Sequence, residues 1–161
     1  MKIKLILGAV LYLMSFSSLS NPYYQIFVHG VPISCTASNG QQVPFFDDPQ
    51  SAQAAIQLGG ARADFVPGMG YRISLSPQFM NSLSPLGALF TVYHECAHVA
   101  LPMGVGLNSP MQERNADCYA VQMMQAHGLI NNFQQFQSAM SAISKHGVMD
   151  INRVNAMAQC L

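Results

Sequence analysis

The dipeptide Ser-Pro occurs at Ser76-Pro77, Ser84-Pro85 and Ser109-Pro110, and each marks a point where the chain leaves extended backbone and enters a helix. The serine hydroxyl can accept a hydrogen bond from an orphan amide of the first turn. A proline at the first helical position sacrifices nothing, because an amide there would have no partner inside the helix. Three helices are therefore expected to begin at these prolines. The second should run to about Ala100, because Pro102 cannot continue it, and the third to about His127, ended by Gly128. Further helices are expected over 51–58, stopped by Gly59-Gly60, and over 132–145 and 150–160.

The residues ahead of these helices read as strands. Segment 23–28 is apolar and aromatic and ends at His29-Gly30. Segments 31–36 and 41–46 flank Asn39-Gly40, a dipeptide of tight hairpin turns in which both central residues take positive φ. Pro32 and Pro44 push that pair toward a sheet edge. Pro67-Gly68-Met69-Gly70 turns the chain into an alternating strand over 71–75. The fold class expected is α+β: one helix-dominated domain over 21–161 with a small N-terminal sheet or hairpins. A chain of 161 residues is long enough to bury a core of its own.

Residues 1–20 are set apart from that domain. Lys2 and Lys4 precede an apolar run over 5–16, and small residues precede Asn21-Pro22, the pattern of a secretory signal peptide cut after Ser20. The run is shorter than the roughly 20 residues that span a bilayer, so no stable membrane insertion is expected after cleavage. Removing two of the seven basic residues leaves five against seven acidic ones, a net charge of −2. No nucleic-acid partner is expected from such a balance. All four cysteines, Cys35, Cys96, Cys118 and Cys160, follow the cut. An even number in an exported chain, periplasmic or secreted, favours two disulfides, and three pairings are open.

The pentapeptide His94-Glu95-Cys96-Ala97-His98 falls inside the helix expected from Pro85. Residues four apart lie about 40° apart around a helix and roughly 6 Å along it, so two imidazoles can reach one metal ion from one face. Glu95 sits where its carboxylate can reach a water at that metal without ligating the metal itself. A hydrolytic zinc site takes three protein ligands and leaves one position open. The helix from Pro110 offers Glu113 as the third ligand, with Asp117 one turn on, able to accept a hydrogen bond from the far nitrogen of a ligand histidine. The chain has only two glutamates, Glu95 and Glu113, and both stand where this chemistry needs them. Cys96 points away from the His94 and His98 face, as a disulfide anchor would.

HExxH followed by ExxAD, carried here by His94, Glu95, His98, Glu113, Ala116 and Asp117, resembles the gluzincin zinc metallopeptidases, in particular the branch with prenyl-protein-processing and heat-shock-induced membrane proteases. The longer forms HECAH and ERNADCYA are similar to small exported bacterial proteins described as candidate metallopeptidases. The resemblance covers about residues 71–127 and implies a minimal zincin-like domain. It further implies one Zn2+ held by His94, His98 and Glu113, Glu95 as general base, and a peptide or protein substrate. It also implies that the strand before the metal helix, 71–75, offers its edge to an extended substrate. An oxyanion stabiliser would come from another segment, with His146, Tyr71 and Arg153 as candidates. The alternative is a noncatalytic zinc-stabilised binding protein of the cell envelope.

Overall fold

The computed structural model describes residues 22–102, 109–144 and 150–160. The expected signal peptide, His146 and the end of the helix expected over 132–145 lie outside these. The chain is α+β. Its strands are β1 Ile26–Val28, β2 Val31–Ile33, β3 Cys35–Thr36, β4 Gln42–Val43 and β5 Phe45–Phe46, then, after helix α1 Pro49–Ile56, β6 Ala61–Val66 and β7 Gly70–Leu75. Helices α2 Pro77–Met80, α3 Pro85–Ala100, α4 Pro110–Ala126, α5 Phe133–Ser144 and α6 Ile151–Ala156 follow, and a 3-10 turn, Met157–Cys160, extends α6.

The three Ser-Pro starts stand as expected. Ser76, Ser84 and Ser109 accept hydrogen bonds from the amides of Phe79, Gly87 and Gln112. At Ser109 the Gln112 side chain also bonds back to the serine amide, so two orphan amides are satisfied reciprocally. Helix α3 ends where Leu101 turns extended ahead of Pro102. The first helix begins two residues earlier than expected, at Pro49, because Asp48 caps it through the amides of Gln50 and Ser51.

The strand region departs further from expectation. Asn39-Gly40 is not a turn with two positive φ values. Gly40 alone takes one, +84°, inside a loop closed by Ala37 N–H to Gln41 O at 2.8 Å, and Asn39 Oδ1 accepts from the Gln41 amide. The two-residue turn of that type is His29-Gly30, with φ of 47° and 83°, joining β1 to β2. The long hairpin expected over 31–46 is divided among three sheets: β2 pairs with β1, β3 with β4, and β5 runs parallel to β7. Pro44 marks one division. It has no N–H for a ladder, and its carbonyl accepts instead from Ile73 N at 2.9 Å.

β6 is a strand the sequence reading passed over. It pairs antiparallel with all of β7 and gives the sheet order β5-β7-β6. Tyr71–Leu75 therefore lies in the middle strand, and the expectation that it offers an edge is corrected: the free edge beside α3 belongs to β6. Helix α1 packs on β6 and β7, and α3 packs against β6, β3, α4 and α5.

The core gathers Ile33, Val43, Phe45 and Ile73 from the strands, Val92 and Val99 from α3, and Phe136, Met140 and Val154 from the C-terminal helices. In α4 the buried residues Ala116, Ala120, Val121 and Met124 form one stripe, and its two alanines are small enough to let a neighbouring helix approach closely. Disulfides join Cys35 to Cys96 and Cys118 to Cys160, with Cα separations of 5.4 and 4.9 Å. One ties β3 to α3; the other ties α4 to the C-terminal turn. Two such bonds indicate an oxidising, non-cytoplasmic setting. Among the described residues no helix is long and apolar enough to cross a membrane.

Candidate metal centre

Helices α3 and α4 face each other through the two motifs. His94 Nε2 and His98 Nε2 lie 3.0 Å apart. From α4, Glu113 places Oε2 at 3.3 Å from His94 Nε2 and Oε1 at 3.5 Å from His98 Nε2. Three lone-pair-bearing atoms thus converge on one point. Ligands at 2.0–2.1 Å from a tetrahedral zinc ion are about 3.3–3.4 Å from one another. The observed separations are close to that spacing, so the residues present fit such an ion. The two ring nitrogens are also within hydrogen-bond distance of each other, the donor being set by the tautomers. His94, His98 and Glu113 form a group that could hold a metal ion.

Behind His94 lies Asp117, buried on α4 one turn beyond Glu113. Its Oδ1 is 2.8 Å from His94 Nδ1, a close ion-pair contact whose angle falls short of a well-aligned hydrogen bond. Such a carboxylate favours a proton on Nδ1 and leaves Nε2 free to ligate. The far side of Asp117 receives Arg153 from α6, with Nε to Oδ2 and Nη2 to Oδ1 both at 2.7 Å. The same Nη2 stands 3.4 Å from Glu113 Oε2. Asp117 does not pair with Arg114, which bonds instead to Gln159.

Glu95 is held separately. Its Oε2 accepts a 2.7 Å hydrogen bond from the backbone amide of Ala63 on β6. Ala63 lies opposite Ile73 in the ladder, yet its amide is directed to the free edge of the sheet. The sequence reading missed this contact because it missed β6. The signal was present as alternation, with apolar Ala61, Ala63 and Phe65 interleaved with Arg62 and Asp64, the latter two joined by an ion pair.

Proton affinities follow from this packing. Glu95 keeps part of its surface open, yet it is crowded enough that burial raises its pKa to about 7. The His94 charge and the Ala63 amide oppose the rise, while Glu113 and Asp64 add to it. Burial disfavours charge on His94, but Asp117 and Glu113 outweigh it and push the pKa up to about 9 in the metal-free chain. His98 is lowered, by burial and then by His94. Glu113 is lowered chiefly by its contact with His94. For Asp117, burial acts upward and is overcome by His94 and Arg153, so its carboxyl sits below the usual range.

The other expected site residues are placed differently from one another. Tyr71 sits on β7 with its ring edge-on to Phe65 at 5.2 Å, outside the cluster. Arg153 is at the site, but engaged with two carboxylates. Cys96 turns away from the histidine face into its bond with Cys35. Comparison of the chain with family models, curated proteins and solved structures gives no match, so the functional reading rests on the site itself.

Proposed function

We propose that the chain is an exported zinc-dependent peptidase, with zinc held by His94, His98 and Glu113 and with Glu95 as the general base. The observation that carries this reading is the convergence of three ligand atoms beside a fourth, separately tethered acid. Zinc, when bound, supplies a Lewis acid that polarises a carbonyl and brings the pKa of water to about 7.

The residues of the chain do the rest. Glu95, as the carboxylate, can take a proton from water and return it to the departing amine. The Ala63 amide fixes one carboxylate oxygen, which limits the directions in which the other can point. Because this tether lies on the free edge of β6, an extended peptide laid along that edge would pass the carboxylate. Asp117 holds His94 in the tautomer that leaves Nε2 unprotonated. The two disulfides agree with export to an oxidising compartment, the setting also read from the first 20 residues.

The test is metal content by mass spectrometry on the oxidised chain, paired with hydrolysis of a mixed peptide library. Wild type should carry one zinc and Glu113→Ala should lose it. Glu95→Gln should keep zinc and lose hydrolysis. A folded wild-type chain without zinc overturns the reading; zinc without turnover on any peptide leaves a noncatalytic zinc protein.

A further inference from the structure

The geometry points to Arg153 as the positioning residue of the metal centre: a fork from the C-terminal segment that locks Asp117 and Glu113 in place for His94. This rests on the metal-site part of the proposed function and assigns Arg153 a role different from oxyanion stabilisation.

Asp117 Oδ1 is shared, lying 2.7 Å from Arg153 Nη2 and 2.8 Å from His94 Nδ1. Its other oxygen receives Arg153 Nε at 2.7 Å. A carboxylate held by both tines of a planar guanidinium has almost no freedom to rotate, and this geometry is specific to arginine. The oxygen offered to His94 is therefore fixed by a residue on another helix. Arg153 Nη2 also lies 3.4 Å from Glu113 Oε2, the oxygen nearest His94 Nε2. One side chain thus touches both carboxylates of α4, a ligand and the group behind a ligand. Its Nε and Nη2 are directed at these protein oxygens, which commits that edge of the guanidinium to the two carboxylates.

Charge supports the same assignment. Glu95, Glu113 and Asp117 place three carboxylates around the site, and a divalent ion alone would leave one uncompensated. Arg153 supplies the missing positive charge at Asp117, the most buried of the three carboxylates. An unpaired buried carboxylate would be costly there.

The segment that carries Arg153 is anchored for the purpose. Asp150 caps α6 through the Asn152 amide at 2.9 Å. Val154, Met157 and Cys160 are buried at three-residue spacing. The Cys118–Cys160 bond attaches the end of the segment to the residue following Asp117. Gln122 Nε2 donates to the Cys160 carbonyl, and Arg114 bonds to Gln159. The last eleven residues described, 150–160, are by this argument part of the metal centre.

The experiment is a zinc competition titration on the oxidised chain for wild type, Arg153→Ala and Arg153→Lys. It is combined with far-UV circular dichroism, thermal melts of the metal-free proteins, and absorption spectra of the cobalt-substituted forms. Arg153→Ala should bind zinc about 10- to 100-fold more weakly, the usual cost of losing a group that orients a metal ligand, while remaining folded. Arg153→Lys should recover part of the loss, since it restores the charge without the fork, and should show shifted cobalt bands. Wild-type zinc affinity in Arg153→Ala, with only a lower melting temperature in the metal-free state, would mean a merely structural role and overturn the proposal. If Arg153→Ala does not fold, the lysine variant decides: weaker affinity and shifted bands support the fork, and wild-type affinity and bands overturn it. Absence of metal from the wild type removes the metal centre itself, a failure visible before any variant is compared.

Discussion

The strand region over 22–75 and the α3–α4 pair are stabilised by opposite means. The strands are two to six residues long and divided among three sheets, so their ladders contribute little alone, and Ile33, Val43, Phe45 and Ile73 hold them by apolar burial. The helix pair buries His94 and Asp117 among its apolar residues, and those polar groups are tolerable because they face one another and Arg153. One region is held by apolar contact; the other gathers charged groups around three residues that could hold a metal ion. They share one apolar core and are also joined by the Cys35–Cys96 bond and by hydrogen bonds from the Ala63 amide to Glu95 and from the Ser38 amide to the Val99 carbonyl.

Phe45→Ala should show the largest effect. The side chain is fully buried, and truncation of such a residue costs about 3–5 kcal/mol. If apolar burial and the ion contribute independently, denaturant unfolding should report the same loss with zinc or with a chelator. A loss appearing only in the zinc-loaded protein would show that the sheet governs the site.

Asp117→Asn attacks the other side. It should lower zinc affinity about 10- to 100-fold, and so shrink the stability difference between zinc-loaded and chelated protein, because a ligand stabilises only through its affinity for the folded state. An unchanged difference would separate Asp117 from the metal.

The smallest effect per step is one of pH. In the metal-free chain His94 titrates at about 9, and only its neutral ring can ligate. Zinc affinity should therefore rise about tenfold per pH unit between 7 and 9 and level off above, one unit corresponding to about 1.4 kcal/mol. The chelated protein should behave in the reverse sense. A pKa raised above the unfolded value, about 6.5, contributes stability that is complete below that value and is lost as pH rises through about 9. A zinc affinity flat over this range would show that His94 is not protonated there.

Parts of this molecule were legible because single residues dictate them. A serine before a proline has few conformations open to it, and α2, α3 and α4 all start as read. HExxH and ExxAD place their residues by helix geometry alone, so His94, His98, Glu113 and Asp117 could be located before any contact was known. The strands were harder. β6 is built on Ala61, Ala63 and Phe65, and alanine carries little strand propensity, so its alternation was faint. Which short strand pairs with which depends on distant partners: nothing local in Val31–Ile33 says that it turns back on β1. Arg153 was visible as a residue but not as a clamp, because its partner Asp117 lies on another helix. The pairing of the four cysteines was likewise a property of the assembled fold.

The positions of the cysteines also bear on the order in which the protein can be made. Cys96 lies between His94 and His98 in sequence, and Cys118 directly follows Asp117. As free thiols, all four would be softer ligands for a zinc ion than a carboxylate. Once Cys35–Cys96 and Cys118–Cys160 have formed, none can compete. A chain oxidised before it meets metal has one destination for the ion, whereas a chain that meets metal first has rivals within its own motifs. If His94, His98 and Glu113 hold the ion as proposed, pairing the thiols would act as a safeguard during maturation by removing those rivals.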